Sequence, residues 1–499
     1  MRGCFQNLLP LTRPSQNGTV VQTESTLIDA QLDRATELVE GRGDRGFSIP
    51  TAANITTQFL RALSFGDAVK DVNIELTGVN LLPLEILGDI FLQALRSADS
   101  SERDSCSAPM NLSQVCRHWR WVALSMPTLW SSLSFSFHPR RLKTWKKLVH
   151  LWIERSGEAP LSLFLSHHHH VITQILAPCL PRLSYMSVYL SLDTIYEFLS
   201  TPFTNAISLT AVDIVHHDSV RETLDRTSKF VSSLPALRRL TWHSASSPTA
   251  FLGLSLPSLT QLTLHAPVPF DLSCAFLSKC SSAVHIELHR IQGPSQLMAP
   301  VKRTILPSLE FLLIHALGDI NLLAFLDRFT FPSLQTLSIR PRSALSNHQS
   351  IDNLVERSSC EIKTLCLLGP LLEAHSVINY ITRLSLQSLT ELHITASRIL
   401  DPVIKTLTCH NSSLDVLPNL IKLVLGWCAT TDGVISEMVA SRWGQSSAAA
   451  ACLVSVNIEF WPFELLGSYY EPGHDQDVLA FESFREHGMA ISWRSSLSM

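Results

Sequence analysis

The sequence lacks the short motifs that mark catalysis or nucleotide binding. It contains no G-x-x-x-x-G-K-[ST], no G-x-G-x-x-G after a predicted strand, no H-E-x-x-H and no G-x-S-x-G. Carboxylates are sparse, and no pair of them stands in a motif suited to acid–base chemistry. We therefore expect a protein that is not an enzyme, with no catalytic, cofactor-binding or metal-binding residues and no cofactor.

Paired cysteines and an excess of basic residues are also missing. The 11 cysteines include no C-x-x-C pair, which argues against a zinc framework and a disulfide scaffold and favours reduced thiols. The formal net charge of −4 argues against a general nucleic-acid binder, which would carry a basic excess.

Long apolar runs are absent as well. No stretch approaches about 18 uninterrupted apolar residues, the length of a membrane span, and the first residues contain no sustained apolar core of a signal peptide. We expect no membrane partner and a cytoplasmic and/or nuclear location.

What the chain does contain begins with the segment Leu81–Leu133, whose first block has helical periodicity. Leu82, Ile86 and Ile90 recur at every fourth residue, and Pro83 suits a first helical turn because its missing N–H would be unpaired there. These positions predict a helix with one apolar face.

The second block of this segment predicts another helix, with Asn111 as its N-cap. The apolar residues that follow at helical spacing are Leu112, Val115, Cys116, Trp119, Val122 and Ala123. Pro127 ends this helix, and Leu129 and Trp130 suit a short third helical piece. Three small helices cannot bury so many large apolar side chains, so we expect part of this surface to contact a partner.

Both blocks together resemble an F-box. The matching residues are Leu82-Pro83-x-Glu85-Ile86-Leu87-x-x-Ile90-Phe91, then Leu112-x-x-Val115-Cys116-Arg117-x-Trp119-Arg120, and finally Leu129-Trp130. The resemblance covers about a tenth of the chain, and the connector Arg96–Pro109 is longer than in the shortest family members. An ordinary helical bundle with an apolar core is the alternative interpretation.

The resemblance implies that this segment docks on the Skp-type subunit of a cullin-based ubiquitin ligase. The residues expected to carry the docking are Leu82, Pro83, Ile86, Ile90, Leu112, Val115, Cys116 and Trp119. Some of them must instead hold the helices together, and the sequence does not divide the two groups.

The F-box-like region extends over residues 81–136, and a further region lies on each side of it. Residues 1–80 predict a partly disordered arm with one amphipathic helix. Residues 137–158 predict a helix with an aromatic stripe, either a docking helix between domains or a basic surface for an anionic partner.

Residues 159–499 repeat the phrase L-x-x-L-x-[LIVMW]. Eleven copies begin at Leu183, Leu209, Leu237, Leu259, Ala283, Leu309, Leu334, Ile362, Leu389, Leu420 and Leu453. Successive copies start 22 to 33 residues apart, from Leu237 to Leu259 at the short end and Leu420 to Leu453 at the long end. The alternating segment from Pro160 to Leu165 predicts one more strand before them.

This phrase resembles that of leucine-rich repeats, with units of about 20–29 residues. The resemblance implies an α/β solenoid, a right-handed array in which each unit offers one parallel strand and stacking supplies the core. The usual asparagine after each strand is mostly missing, so no regular asparagine ladder is expected. The whole chain therefore resembles an F-box protein with C-terminal leucine-rich repeats of the fungal type.

One column of polar residues follows the last apolar residue of consecutive strands. Its members are His243, His265, His289, His315 and Arg340. The column is either a by-product of repeat copying or a face that contacts a substrate. The run His167–His170 differs, because no Cys or carboxylate ligand lies near it, and a solvated loop is the favoured interpretation.

The function expected from these features is that of a substrate adaptor in a Skp–cullin–F-box ubiquitin ligase, acting in ubiquitin-dependent protein degradation. The repeats would bind an unknown protein substrate, and the F-box would join it to the Skp-type subunit and through that subunit to a cullin. The alternative is a leucine-rich repeat scaffold that binds proteins without joining a ligase. A protein that uses its histidines for metal-dependent chemistry is the third possibility.

Overall fold

A computed structural model describes most of the chain from residue 82 onward. The described residues are 82–97, 108–135, 142–165, 175–190, 195–196, 198–199, 203–216, 220–246, 256–293, 303–316, 325–341, 349–369, 372–409, 416–443, 452–460 and 473–494. The chain divides into two compact units, Met1–Leu183 (unit 1) and Ser184–Met499 (unit 2). The predicted N-terminal arm and the run His167–His170 lie outside the described residues.

Unit 1 is mostly helical in its described part. Its helices are α1 (Leu84–Ser97), α2 (Ala108–Val115), α3 (Arg117–Ser125) and α4 (Leu142–Arg155), with a 3-10 turn at Pro127–Trp130. Two short strands, β1 (Ser132–Phe135) and β2 (Leu161–Leu165), pair in parallel. The third helical piece expected at Leu129 and Trp130 is this 3-10 turn.

The second helical block differs from its prediction in two places. Asn111 is not an N-cap, because α2 begins at Ala108 and contains Asn111 in its interior. The block is also broken at Cys116, whose extended backbone separates α2 from α3. Cys116 caps α3 instead, since its Sγ accepts from the Trp119 N–H at 3.4 Å. The apolar spacing runs through this break, which is why periodicity alone joins the two helices.

The core of unit 1 centres on aromatic side chains. Phe91 and Trp119 pack with ring centroids 5.0 Å apart, and both are buried. Trp130 is fully buried, packs edge-on against Trp152 and donates its indole N–H to the Ala123 carbonyl at 2.8 Å. Arg155 of α4 lies 4.4 Å over the Trp130 ring. These contacts fix α4 to the turn that follows α3.

Unit 2 is an α/β structure with one large parallel sheet. Its strands are β3 (Leu183–Leu190), β4 (Ala211–His216), β5 (Arg239–His243), β6 (Gln261–Leu264), β7 (Val268–Pro269), β8 (His285–Gln292), β9 (Thr304–Ile305), β10 (Phe311–Ala316), β11 (Phe329–Thr330), β12 (Thr336–Arg340), β13 (Thr364–Leu368), β14 (Glu391–Ile399), β15 (Lys422–Cys428), β16 (Ser455–Phe460) and β17 (Ala490–Arg494). From β3 the strand order is β3-β4-β5-β6-β8-β10-β12-β13-β14-β15-β16-β17, while β7 pairs with β8 and β9 pairs with β11.

Helices occupy most of the returns between these strands. They are α5 (Arg221–Ser232), α6 (Phe270–Leu277), α7 (Gln349–Ser358), α8 (Ala374–Ile381), α9 (Asp401–Leu407), α10 (Val434–Arg442) and α11 (Asp475–Glu486). Each strand is thus followed by a return that leads to the next parallel strand, which gives unit 2 the character of an α/β solenoid.

Every copy of the L-x-x-L-x-[LIVMW] phrase coincides with a strand of this sheet. The second apolar position of one copy pairs with that of the next, as Leu262 does with Ile286 and Ile286 with Leu312. These residues are buried while the alternating residues are partly exposed, the period of a half-buried strand. The predicted strand register is confirmed.

Backbone hydrogen bonds join the residues at the start of most strands to the residues just before the preceding strand. They need no asparagine side chains, which the sequence mostly lacks there. The Thr260 carbonyl accepts from the N–H groups of Val284 and His285 at 2.8 and 3.0 Å. The Val284 carbonyl accepts in the same way from Glu310 and Phe311 at 2.9 and 3.1 Å. The backbone itself therefore joins successive repeats.

Proline residues shape the turns before several strands. Leu259 N–H bonds to the Leu256 carbonyl, and Leu334 N–H bonds to the Phe331 carbonyl, so Pro257 and Pro332 take the second position of a turn. The fixed φ of proline suits that position, which explains why Leu-Pro and Phe-Pro introduce the phrase.

Strand β17 has no copy of the phrase in the prediction. It aligns with β16 by pairing Ile491 with Val456 and Trp493 with Ile458. Gly488, at φ +95°, occupies the place where other copies have a leucine. Because glycine replaces leucine there, a search for the leucine phrase does not find β17.

Candidate functional site

The adaptor residues predicted in unit 1 divide by burial. Leu112 and Trp119 are buried at 5% and 4% exposure, so they belong to the core. Leu82, Ile90, Val115 and Cys116 are half-buried. Pro83 is exposed, and Ile86 leaves 48% of its surface exposed. The structure therefore leaves Pro83 and Ile86 as the predicted residues most open to a partner.

Among the described residues of unit 1, three further large apolar side chains are exposed that the prediction did not name. They are Leu84 in the first turn of α1 and the pair Trp121 and Leu124 on α3. Trp121 is 58% exposed, although it lies between the buried residues Trp119 and Val122. The exposed pair is three residues apart and shares one helix face, opposite the buried face. Helical wheel spacing of α3, once the break at Cys116 is placed, would have identified both residues.

Polar contacts hold this exposed surface in place. The Arg120 guanidinium donates through Nε to the Ser113 carbonyl of α2 at 2.8 Å, which ties α3 to α2. The Leu87 N–H bonds to the Pro83 carbonyl, so Pro83 begins the hydrogen bonding of α1. Exposed apolar side chains on rigid helices fit an interaction surface.

The outward face of the sheet in unit 2, opposite its core, carries the predicted histidine column. His243 and His265 stack with centroids 4.1 Å apart and planes at 8°, and His265 and His289 stack at 4.0 Å and 16°. The three rings, here called the histidine stack, come from β5, the residue after β6, and β8. They follow from strand register, because equivalent residues of paired strands lie side by side.

The other two members of the column stand on neighbouring strands. His315 of β10 pairs in register with Arg340 of β12. The pairing of β8 with β10 shifts between Ile314 and Ala316, the point where the column passes from His289 to His315. Arg340 is exposed and His315 is half-buried.

Glu287, which the prediction did not name, forms hydrogen bonds to two histidines on the same face of the sheet. Glu287 bonds to His285 Nε2 at 2.7 Å through Oε1 and to His289 Nε2 at 2.9 Å through Oε2. The His285 ring stacks on Phe311 at 4.0 Å. The alternation His285-x-Glu287-x-His289 within a predicted strand puts the three side chains on one face, and this signal could have found Glu287.

Burial and these neighbours shift the titration of the face. Burial, together with the neighbouring His289 and His243, lowers the pKa of His265 to about 4, and Glu287 opposes this in part. Burial likewise lowers the pKa of His243, while Asp213 partly opposes this. Burial raises the pKa of Glu287, but its bonds to His285 and His289 outweigh that effect and leave it lowered. At neutral pH the middle of the stack is therefore uncharged.

Asp213 of β4 is the second carboxylate beside the stack. It accepts a hydrogen bond from the Tyr185 hydroxyl at 2.5 Å, and burial together with this bond raises the pKa of Tyr185. The carboxylate is thereby held two strand positions from His243, since Val215 pairs with His243 and Asp213 with Thr241.

A third group of polar residues lies near the C-terminal end. Asp432, His474 and Asp477 bring one potential metal-ligand atom each within 4.8 Å of the others. Their carboxylates serve as helix caps: Asp432 accepts from the N–H groups of Gln476 and Asp477 at the start of α11. Asp477 accepts from the Ser436 N–H in the first turn of α10 at 2.8 Å. Reciprocal capping accounts for the cluster without a metal.

Comparison with known proteins adds no relative: no family model matches the chain, and neither does any curated protein. Among the described residues, no helix is long and apolar enough to cross a membrane.

Proposed function

We propose that the chain is the substrate adaptor of a Skp–cullin–F-box ubiquitin ligase. The observation that carries the proposal is the exposure of apolar side chains on two helices, Leu84 and Ile86 on α1 and Trp121 and Leu124 on α3. They belong to the segment whose motif order resembles an F-box. A soluble helical unit that leaves Trp121 more than half exposed gains from covering it with a partner.

In this proposal the helices of unit 1 form an F-box domain and unit 2 is a right-handed leucine-rich repeat array. The crossover connections between parallel strands support that handedness, because about 98% of such connections are right-handed. The strand-by-strand agreement of the repeat phrase with the parallel sheet supports the repeat assignment.

The adaptor works through proximity and needs no catalytic residue of its own. The Skp-type subunit would cover the exposed surface of α1 and α3, and the outward face of unit 2 would hold the substrate protein. Holding a target lysine beside the conjugating enzyme raises its effective concentration, which is the source of acceleration in such a complex. Reduced thiols and this partnership favour a cytoplasmic or nuclear location.

A repeat scaffold that never joins a ligase is the second candidate. It is favoured by one observation: the segment does not end with its helices but continues into β1, which pairs with β2 from Ser132 to Phe135. A helical segment joined to a sheet in this way could act as a stabilising cap.

Affinity purification with mass spectrometry separates the two candidates. The intact chain and the Ile86→Asp variant, matched for expression, are each used as bait. The adaptor proposal expects a Skp-type subunit and a cullin with the intact chain and their loss with the variant. A bait that recovers neither subunit, while remaining folded, favours the scaffold.

A further inference from the structure

The outward face of β4 to β12 carries few fixed charges and several imidazoles. The fixed charges on these strands are the cations Arg239 and Arg340, the carboxylates Asp213 and Glu287, and a third cation, Arg290, half-exposed at the irregularity of β8. The same face holds five imidazoles: His243, His265, His285, His289 and His315. Above the range where imidazoles titrate the face is close to neutral, and below it the face becomes strongly positive.

We propose that this face binds an extended acidic segment of a partner protein, seated along the histidine stack, and that binding takes up protons. The inference deepens the proposed function, since the segment would belong to the protein that the repeats present. The charge complementarity between clustered imidazolium groups and carboxylates identifies the partner's chemistry.

The geometry of the stack sets how the charges can be arranged. Rings held 4.0 to 4.1 Å apart in near-parallel planes turn their edges, which carry the nitrogens, away from one another's faces. Charging adjacent rings is costly at that distance, and the middle ring, His265, is kept uncharged by burial and by both of its neighbours. Asp213 partly opposes the lowering of the pKa of His243, and Glu287 forms a hydrogen bond with His289.

The spacing fits the repeat of an extended chain. His243 and His289 are separated by roughly twice the stacking distance, about 8 Å. Alternate residues of an extended segment point to the same side and lie about 7 Å apart. A segment with Glu or Asp at alternate positions can therefore pair one carboxylate with each end of the stack and another with Arg340 farther along the column.

Proton uptake follows from the titration of the free protein. Because burial holds the pKa of His243 and His265 below the ordinary value, these two rings are mainly uncharged at pH 7.5 in the free protein. A bound carboxylate stabilises the charged form of the end rings and raises their pKa. Affinity must then increase as the pH falls from 7.5 to 6, by up to about tenfold per pH unit for each proton taken up.

The test uses a short peptide with Glu alternating with Ser and a matched peptide with Gln in place of Glu. Calorimetry on the full chain at pH 7.5 and pH 6, in two buffers of different ionisation enthalpy, gives affinity and proton uptake together. The expected result is tighter binding of the Glu peptide at pH 6, net proton uptake and no binding of the Gln peptide. Equal binding of both peptides, or binding without proton uptake, overturns the proposal.

Variants locate the site. His243→Gln with His289→Gln removes both end rings and should abolish the pH dependence, and His243→Gln alone should weaken it, which keeps the test valid if the double variant unfolds. The matched control changes His375 and His487 to Gln, because His375 lies on α8 and His487 directly follows the end of α11, both outside the strands. A double variant that keeps the parent's pH dependence while folded would place the site elsewhere. No Skp-type subunit is present, so failure here leaves the adaptor proposal untouched.

Discussion

At the scale of the residue, burial of imidazole rings links the stability of unit 2 to pH. His265 is half-buried between two other rings, and its pKa of about 4 lies below the 6.5 of a free imidazole. The unfolded chain therefore binds more protons than the folded chain between these values. Stability contributed by the neutral ring is fully present above pH 6.5 and is lost as the pH falls toward 4.

We therefore expect His265→Gln to flatten the pH dependence of unfolding. Between pH 7 and pH 4.5 the parent should lose about 1 kcal/mol more than the variant, a value discounted because the ring is half-exposed. Urea unfolding at several pH values measures it. His375→Gln, at an exposed position of α8, serves as the control and should retain the parent's slope. Parallel curves for the parent and His265→Gln would contradict the assignment.

Alternation along the strands makes a second prediction at this scale. Leu262 and Leu312 are fully buried, so replacing either with Ala should cost ~2–5 kcal/mol of unfolding free energy. Thr263 and Leu313 are on the outward face, and their change to Ala should stay within about 0.5 kcal/mol. Chemical denaturation ranks the four variants. Leu313→Ala is the most informative variant, because leucine is apolar yet lies on the outward face. A large decrease in its unfolding free energy would contradict the outward assignment.

At the scale of the element, the two last described helices cap each other. Asp432 caps α11 and Asp477 caps α10, and Asp477 is fully buried. Burial raises the pKa of Asp477, but hydrogen bonds from His474 and Ser436 outweigh it and leave the pKa lowered. The carboxylate is therefore ionised where it caps, which stabilises a helix N-terminus.

Asp477→Ala should destabilise unit 2 by about 2 kcal/mol or more, because it removes a cap and leaves the Ser436 N–H without its acceptor. Asp475→Ala, at an exposed position of the same first turn, is the control and should cost about 0.5 kcal/mol or less. Thermal unfolding compares the two. Adding a divalent metal should stabilise neither the parent nor the control; a clear rise in the melting temperature of the parent would favour a metal site over caps.

Elements with a repeated signal could be predicted from the sequence, and elements set by single contacts could not. The strands from β3 to β16, except the two-residue strands β7, β9 and β11, follow from the leucine phrase, because every unit repeats the same inward positions. The break at Cys116 and the caps at Asp432 and Asp477 depend on local hydrogen bonds that leave apolar spacing unchanged. Strand β17 was missed since Gly488 stands where leucine was sought.

The candidate sites divide in the same way. The histidine stack follows from equivalent positions on paired strands, so the sequence alone places His243, His265 and His289 together. The division of the apolar residues of unit 1 into core and surface requires packing, and Trp119 proved buried while Trp121 proved exposed. Helical spacing becomes informative there only after the helix boundary at Cys116 is known.

At the scale of the whole molecule, the two units present two different kinds of surface. Unit 1 offers exposed apolar side chains on short rigid helices, and unit 2 offers a parallel sheet with a titratable outward face. An adaptor requires two such surfaces, because it must hold a ligase subunit and a substrate at the same time. Neither surface requires catalytic residues.

The most direct test is the affinity of the purified full chain for a purified Skp-type subunit, measured by calorimetry. Ile86→Asp places a charge on the exposed surface of α1 and should weaken binding by ~2–4 kcal/mol, about 30-fold to 1,000-fold. Leu479→Asp makes the same kind of change at a 67% exposed leucine of α11 and should bind like the parent. Circular dichroism confirms that both variants are folded. We expect strong loss of binding for Ile86→Asp alone; a parent chain that does not bind, or a folded Ile86→Asp variant that binds equally well, would contradict the adaptor proposal.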